Sequence, residues 1–187
     1  MTRPQLWPRR TERLELRPPT EAELDAVLSW RYHPEVNRWL LSTEVQPAVY
    51  RELWRSGADD PLDHHVVAVA GDGAVVGTLS VLVRDGMGQG ADSPARASEG
   101  SLGYLLDPAQ HGRGYATEMV RAALDLAFGD LGLRRVTAGC FADNVASWRV
   151  MEKAGMRREQ HGVRDSWHAQ LGWVDGYTYA LLADERG

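Results

Sequence analysis

Asp107-Pro-Ala-Gln-His-Gly-Arg-Gly-Tyr-Ala-Thr-Glu118 is the stretch that decides the fold of this chain. It follows an apolar run typical of a strand, Ser101–Leu106, and it precedes apolar residues at helical spacing. A helix start leaves about four backbone N–H groups without partners and carries partial positive charge. Gly112 and Gly114 have no Cβ, so a ligand can approach the backbone closely. The stretch therefore predicts an anion-binding loop between a strand and a helix, suited to a phosphate or pyrophosphate.

Two familiar phosphate loops fit this stretch poorly. A Walker loop has Lys and then Ser or Thr after its last glycine, whereas Tyr115 follows Gly114 here. A dinucleotide fingerprint has a third Gly or Ala where Thr117 stands, and it usually opens its domain, whereas this loop follows four predicted strands. A plain strand-to-helix turn remains the alternative to an anion site.

The remaining patterns predict a single α/β domain with a mixed sheet over residues 1–187. Thr20 and Glu23 form a capping box that starts a helix. Gly71-Asp-Gly73 predicts a hairpin. The expected order is strand, two helices, three strands, helix, strand, helix and two strands, with a long loop over 84–100 and Trp167 and Trp173 in a loop before the last strand. The expected strands cover 13–17, 65–70, 74–83, 101–106, 135–141 and 176–182, with another near Met156, and the helices begin near 20, 47, 114 and 144.

Composition narrows the classes of function. The net charge of −5 makes a nucleic-acid partner a poor expectation, because tracking that backbone needs clustered Lys and Arg. No stretch approaches the roughly 20 apolar residues of a membrane span, and Met1-Thr-Arg-Pro-Gln5 lacks a signal core, so we expect a cytoplasmic protein with no membrane partner. The lone Cys140 excludes an internal disulfide and a Cys-based zinc site, and the scattered His residues predict no metal.

A second motif is Asn144-Val-Ala-Ser-Trp-Arg-Val-Met-Glu-Lys-Ala-Gly-Met156. Asn144 and Ser147 are three residues apart and share the face of a first helical turn. The Asn144 amide offers a donor and an acceptor for an amide-bearing ligand, and Ser147 offers one hydroxyl proton. The alternative is that Asn144 only caps the helix.

Taken together, the two motifs resemble those of the GNAT acetyltransferases. Asp107-Pro-x-x-x-Gly-x-Gly-Tyr-Ala-Thr-Glu118 is followed by a strand and then by Asn144-x-x-Ser-x-x-Val-x-Glu-Lys-x-Gly155. The segments Thr11–Arg17, Trp173–Asp175 and Tyr179–Leu182 resemble the ends of the RimJ/RimL-like branch, which acetylates ribosomal-protein N-termini. The resemblance covers nearly the whole chain. It implies a mostly antiparallel sheet with one splayed parallel strand pair, flanked by helices.

The resemblance also implies where acetyl-CoA, as co-substrate, would bind. The pyrophosphate would lie on the backbone amides of the glycine loop, and the pantetheine arm would lie between the splayed strands beside Leu105 and Leu106. Asn144 would hydrogen-bond the arm, and Ser147 would sit near the sulfur. The expected donor-binding residues are Leu105, Leu106, His111, Gly112, Arg113, Gly114, Tyr115, Ala116, Thr117, Asn144 and Ser147.

Three positions depart from the family pattern. His111 replaces the Gln or Arg that often begins the loop. Met151 replaces a tyrosine that many relatives place beside the thiol, which leaves Ser147 as the better proton donor. Ser101 stands where many relatives carry a glutamate base.

The catalytic prediction is Ser147 as proton donor to the leaving thiolate and Glu99 as base. The alternative for Ser147 is an ordinary helix-turn hydroxyl, and the alternative for Glu99 is a loop carboxylate facing solvent. Asp175 and His168 are other candidate bases. A backbone N–H near Leu105 would stabilise the oxyanion. No base is needed for an α-amino group, whose pKa near 8 leaves part of it neutral.

The acceptor is expected to be a primary amine, either a protein N-terminus or a small molecule. We expect Trp39, Trp173 and Asp175 to line its site, with Trp39 in the segment between helices as the first choice. The resemblance suggests a homodimer. A non-catalytic acyl-CoA-binding sensor or scaffold is the alternative from another class.

Overall fold

A computed structural model describes residues 6–44, 46–57, 60–90 and 92–186. In those ranges the chain forms eight strands and five α-helices, and a π-helical segment, Leu126–Asp130, directly follows the fourth helix. The strands are β1 (Arg9–Arg10), β2 (Leu14–Arg17), β3 (Asp63–Ala70), β4 (Val75–Arg84), β5 (Glu99–Leu106), β6 (Arg135–Phe141), β7 (Arg157–His168) and β8 (Gly172–Leu182). The helices are α1 (Glu21–Arg31), α2 (Pro34–Asn37), α3 (Pro47–Gly57), α4 (Tyr115–Asp125) and α5 (Val145–Lys153).

All eight strands form one sheet in the order β1-β2-β3-β4-β5-β6-β8-β7. Neighbouring strands are antiparallel except β5 and β6, which are parallel. The connection from β5 to β6 is α4, as a parallel crossover requires. The predicted fold class, a mixed sheet with one parallel pair, is confirmed.

Helices cover both faces of the sheet, and strand β3 shows why. Val66 and Ala68 pack into a cluster with α4 and α5, whereas Val67 and Val69 pack into a second cluster with α1, α2 and α3. Alternate residues of a strand point to opposite faces, so a strand with helices on both sides is apolar throughout. The sheet therefore separates an α4/α5 face from an α1–α3 face.

Two sequence predictions need correction. Pro34 was expected only to break the first helix, yet it also begins α2, since proline is well suited to the first helical position. Trp167 and Trp173 were expected in a loop, but they are register partners in β7 and β8. Trp and Val favour strands, and the true turn is the short segment after His168.

Candidate functional site

The parallel strands β5 and β6 separate part of the way along their length. They pair only at Glu99–Arg135, Gly100–Val136 and Ser101–Thr137. Beyond that point β5 stays paired with β4 up to Leu106, and β6 stays paired with β8 up to Phe141. A gap therefore opens between the carboxyl halves of the two strands, with backbone groups along its edges available to a ligand.

The glycine loop directly follows the open end of β5. Asp107 caps a single 3-10 turn by accepting the Ala109 N–H at 3.0 Å. Gly112 and Gly114 then adopt φ values of +75° and +83°, the left-handed region in which glycine carries little strain. Gly114 is the N-cap of α4, and no side chain caps that helix start. The first amides of α4 therefore remain available to an anion.

The N-terminal segment holds this loop in place. Arg13 donates from Nη1 to the Arg113 carbonyl at 2.8 Å and forms an ion pair with Glu118 at 2.6 Å. Thr11 also donates to Glu118. Partial burial alone would raise the pKa of Glu118, but the hydrogen bonds from Thr11 and Arg13 outweigh it and lower that pKa. Both Arg13 and Arg113 lie over the ring of Tyr115, at 4.7 and 5.1 Å, and that ring is buried.

Asn144 and Ser147 begin α5, close to the end of β6. The Asn144 Oδ1 accepts the Ser147 N–H at 3.2 Å, so Asn144 does cap the helix. Its amide nitrogen is not used by that bond. Trp148 donates from Nε1 to the Ala142 carbonyl at 3.1 Å and fixes the same turn. The Asn144 side chain is thus held by a backbone N–H of its own helix start.

Tyr104 joins Ser147 across the gap, from β5 to the helix that follows β6. Its hydroxyl donates to the Ser147 carbonyl at 2.9 Å and lies 2.9 Å from the Ser147 Oγ. Burial raises the pKa of Tyr104 to about 12, with the Ser147 hydrogen bond lowering it in part. Burial likewise raises the pKa of the Cys140 thiol to about 11, and a hydrogen bond with Ser147 opposes that shift. The Ser147 hydroxyl therefore lies between a tyrosine that stays protonated and the sulfur of β6.

Glu99 lies at the opposite end of β5, where the strands are still paired. Its carboxylate accepts from Arg134 at 2.5 Å and from Arg135 at 3.1 Å. Five residues of strand, or roughly 17 Å, separate it from Tyr104. The structure does not bring Glu99 together with Ser147, so the prediction of Glu99 as the base has no geometric support.

An aromatic cluster borders the open end of the gap on the α1–α3 face. The ring of Trp39 lies 6.3 Å from that of Phe141 and 5.4 Å from that of His168, and Phe141 and His168 lie 5.1 Å apart. Phe141 ends β6, so the cluster stands at the mouth of the gap. We call Trp39, Phe141 and His168 the mouth cluster.

The two alternative bases already have partners. His168 is buried, accepts backbone N–H groups of Gln170 and Leu171 on Nδ1, and lies 2.8 Å from the Arg38 carbonyl through Nε2. Those contacts favour the neutral tautomer with its proton on Nε2. Asp175 pairs with His161 at 2.6 Å and accepts the Arg164 N–H, and both contacts lower its pKa.

Trp173 lies away from the mouth cluster. Its ring stacks edge-on with that of Trp167 at 5.5 Å, and both side chains are mostly exposed. Trp167 and His168 are consecutive in β7 and so point to opposite faces. Because Trp173 is the register partner of Trp167, it shares the face opposite Trp39. The structure thus separates two residues that were expected to line one site.

Sequence reasoning missed Tyr104, Phe141 and Arg13. Tyr104 lies two residues after the buried Leu102 in β5, so both side chains point to the α4/α5 face, where Ser147 also lies. Phe141 was placed only as the end of a strand. No pattern pointed to Arg13, because its partner Glu118 is 105 positions away.

Met151, by contrast, is buried in the core of the α4/α5 face, which explains how a methionine is accommodated at that position. Among the described residues, no helix has the length and apolar character needed to span a membrane. In those same ranges no group of three or more His, Cys, Asp or Glu side chains could hold a metal ion.

Sequence comparison matches residues 13–157, most of the chain, to a family described as an acetyltransferase (GNAT) domain. The uncharacterized N-acetyltransferase YnaD of Bacillus subtilis (strain 168) is 37% identical over 84 residues, covering 45% of this chain and 49% of that protein. The probable N-acetyltransferase YjcK of the same organism is 36% identical over 122 residues, covering 64% of this chain and 61% of that protein. The matched parts therefore span less than two thirds of either relative.

Solved structures show the same fold. A spermidine N-acetyltransferase from Vibrio cholerae, in complex with CoA and spermine, superposes with a TM-score of 0.79 at 15% identity, covering 94% of this chain and 98% of that one. RimJ of Mycobacterium smegmatis, in complex with CoA-disulfide, superposes with a TM-score of 0.77 at 22% identity, covering 97% and 90%. At these identities the likeness establishes the fold alone.

Proposed function

Because the chain belongs to the GNAT acetyltransferase family, we propose that it transfers the acetyl group of acetyl-CoA to a primary amine. The observation that carries the proposal is the gap between β5 and β6. At its open end β5 runs into the glycine loop and the uncapped start of α4. Across the gap, the hydroxyl groups of Ser147 and Tyr104 meet.

In this proposal the protein binds acetyl-CoA through its pyrophosphate and its pantetheine arm. The backbone amides of residues 112–117 hold the pyrophosphate. Arg113 adds a positive charge to this site, and His111 adds an imidazole ring at the start of the loop. Tyr115 contributes its N–H, since its ring is buried. The pantetheine arm lies in the gap along Leu105 and Leu106, where β5 has no partner on the β6 side. The free amide nitrogen of Asn144 reaches the arm.

Transfer then proceeds by direct attack in a ternary complex. The neutral amine attacks the thioester carbonyl, a backbone N–H near Leu105 stabilises the oxyanion, and the carbon–sulfur bond breaks. Ser147 gives its proton to the leaving thiolate and regains one from solvent, while Tyr104, whose hydroxyl lies 2.9 Å from the Ser147 Oγ, holds the serine in place. The amine nitrogen loses its proton to water, because Glu99, His168 and Asp175 are all engaged elsewhere.

The likeness to solved structures bears on the acceptor. The RimJ likeness supports a RimJ/RimL-like assignment with a protein N-terminal amine as acceptor, and the likeness to a spermidine acetyltransferase supports a small-molecule amine. Trp39 of the mouth cluster lines the acceptor site in either case, whereas Trp173 and Asp175 contribute little to it. A cytoplasmic homodimer completes the proposal.

Incubation with acetyl-CoA and a panel of amines tests this function. The panel contains peptides with free N-termini, amino acids, amino-acid amides and spermidine, and the readout is release of free thiol together with the mass of the product. We expect release with at least one acceptor. Binding of acetyl-CoA without release from any acceptor would instead indicate a non-catalytic sensor or scaffold. Absence of binding would contradict both functions.

A further inference from the structure

We infer that the acceptor amine carries a carboxylate, and that Arg38 binds this carboxylate at the mouth of the gap. The inference rests on the proposed function and specifies its substrate class. Two sources share the chemistry: a free amino acid, and a peptide whose N-terminal residue is acidic.

Arg38 stands beside the mouth cluster. Its guanidinium lies 4.8 Å above the ring centroid of Trp39, and its backbone carbonyl lies 2.8 Å from the His168 Nε2. Trp39 in turn contacts Phe141, the last residue of β6. The backbone of Arg38 is therefore tied to the mouth cluster, while its side chain is exposed and rests on an aromatic wall of the acceptor region.

The charge of Arg38 is not compensated by the chain. In the ranges that the structure describes, its guanidinium has no hydrogen-bond or ion-pair partner, only the Trp39 ring. Several arginines of the protein are ion-paired, such as Arg17 with Glu23 at 2.5 Å and Arg186 with Asp125 at 2.5 Å, whereas Arg149 and Arg158 resemble Arg38 in contacting an aromatic ring. What distinguishes Arg38 is its place beside the mouth cluster. A planar guanidinium held on a ring presents its N–H fork to a carboxylate, for which it has matching geometry.

A second arginine lies in the same region. Arg31 is 4% exposed, and the hydrogen bonds that it donates to described residues go to neutral oxygens, the Asn37 side chain at 3.3 Å and the Ser42 carbonyl at 2.6 Å. Burial lowers its pKa, although guanidinium stays charged at neutral pH. Arg31 thus ties down the segment that carries Arg38 and adds positive charge beneath it.

The carboxylates near the mouth cluster do not contact the guanidinium groups of Arg31 and Arg38 in the described residues. Glu35 and Glu44 lie in the same segment with exposed side chains, and within the described ranges neither is ion-paired to Arg38 or Arg31. Asp175, behind the gap, is engaged by His161. Two guanidinium groups and an aromatic wall suit an acceptor with a negative charge, and they oppose a polycation.

Matched acceptors test the inference. In the amino-acid arm we compare phenylalanine with phenylalaninamide, and in the peptide arm we compare two amidated peptides that differ only in Asp or Asn at the N-terminus. Because a nearby carboxylate raises the pKa of an amine, the members of each pair are compared at equal concentrations of the neutral amine. Spermidine is the cationic acceptor. We expect kcat/KM in one arm to be about tenfold higher for the carboxylate member, mainly through KM.

Three variants assign that preference to Arg38. R38Q removes the preference, R38K keeps the charge without the fork and retains part of it, and R84Q is the control. Arg84 is also exposed and lies at the end of β4, opposite Glu99 and away from the mouth. The control should behave as the unmodified protein.

The outcomes separate this inference from the proposed function. Acetylation of spermidine or phenylalaninamide with no carboxylate preference, or a preference that survives R38Q, overturns the inference and leaves the proposed function intact. Absence of thiol release from every acceptor overturns the proposed function, and this inference with it.

Discussion

The two sides of the β5–β6 gap are assembled in different ways. The proposed donor side uses two short stretches that are each continuous in sequence, the loop at 112–117 and the helix start at 144–147. The proposed acceptor side joins residues that are distant in the chain, and its bond between His168 and Arg38 links positions 130 apart. A site built from local turns is set by the backbone geometry of a few consecutive residues, whereas the mouth cluster depends on two strands packing against the segment after α2. A substitution in one turn can therefore alter the first side alone, while the second side also depends on how distant segments pack.

Filling the glycine loop is expected to have the largest effect. Gly114 has φ +83°, and an added Cβ would lie 3.4 Å from the Arg13 Nη2, on the side chain that holds the glycine loop. We expect Gly114→Val to raise the Kd for acetyl-CoA at least about 100-fold, through loss of several charge-assisted hydrogen bonds. Titration calorimetry measures this.

Gly132→Val is the matched control, because Gly132 also has positive φ (+63°) but open surroundings. Both variants should lower Tm by a similar amount, from backbone strain of roughly 1–3 kcal/mol. An equal loss of affinity for acetyl-CoA in both variants would show that backbone strain, and not the shape of the glycine loop, controls binding.

Removing the Ser147 hydroxyl should lower turnover without removing the donor. We expect Ser147→Ala to reduce kcat about 100-fold and Tyr104→Phe about tenfold, with little change in the Kd for acetyl-CoA. Because Tyr104 acts through Ser147, the double variant should be no slower than Ser147→Ala. Full additivity of the two losses would show that Tyr104 does not act through Ser147, and unchanged turnover in Ser147→Ala would contradict the role of Ser147 as proton donor.

The pH dependence of Cys140 alkylation probes the interior of the donor side. A pKa of about 11 keeps the thiol protonated, so iodoacetamide should react at pH 8 about 100-fold more slowly than with the same cysteine in urea. The native rate should rise with pH and level off only near pH 11. Levelling near pH 9 would mean that restricted access, not a raised pKa, protects the thiol. The single cysteine of the sequence makes the signal unambiguous.

Two tryptophan deletions compare the acceptor side with the opposite face. We expect Trp39→Ala to lower kcat/KM for the acceptor about tenfold, because it removes one wall of the mouth cluster. Trp173→Ala deletes the same side chain from the exposed pair with Trp167 and should change kcat/KM by less than about twofold. Steady-state kinetics at saturating acetyl-CoA measure both. A larger fall in kcat/KM for Trp173→Ala than for Trp39→Ala would indicate that Trp173 lines the acceptor site.

Glu99→Gln should have the smallest effect on catalysis. The variant removes ion pairs with Arg134 and Arg135 at the paired end of β5, so the free energy of unfolding should fall by about 1 kcal/mol or less. Turnover should stay within about twofold of the unmodified protein. A tenfold fall in kcat with unchanged stability would restore Glu99 as the base.

Local patterns predicted the parts of the protein that local interactions form. The capping box of Thr20 and Glu23 is present, and β6 has the predicted bounds, Arg135–Phe141. Gly112 and Gly114 adopt the backbone geometry for which glycine is needed. Each of these depends on residues a few positions apart, so a single sequence contains enough information.

The rest depends on contacts that sequence spacing does not encode. Tyr104 contacts Ser147 across the gap between β5 and β6. No residue pattern in either strand indicates that their pairing ends after Ser101 and Thr137. Glu99 begins β5 at the end paired with β6, where its carboxylate contacts Arg134 and Arg135, and only the pairing register shows that this end lies away from Ser147. Trp173 was chosen by composition, and strand alternation decides its face.

The contact between Arg13 and the glycine loop also bears on the order in which the molecule assembles. The backbone N–H of Arg13 donates to Glu118 over a separation of 105 positions, so closing it costs the entropy of a long loop. The glycine loop consequently reaches its final shape only after residue 118 has been synthesised and the segment that carries Arg13 has docked. A ligand bound at the loop then stabilises this contact, and protection of residues 9–17 from proteases should increase with acetyl-CoA concentration.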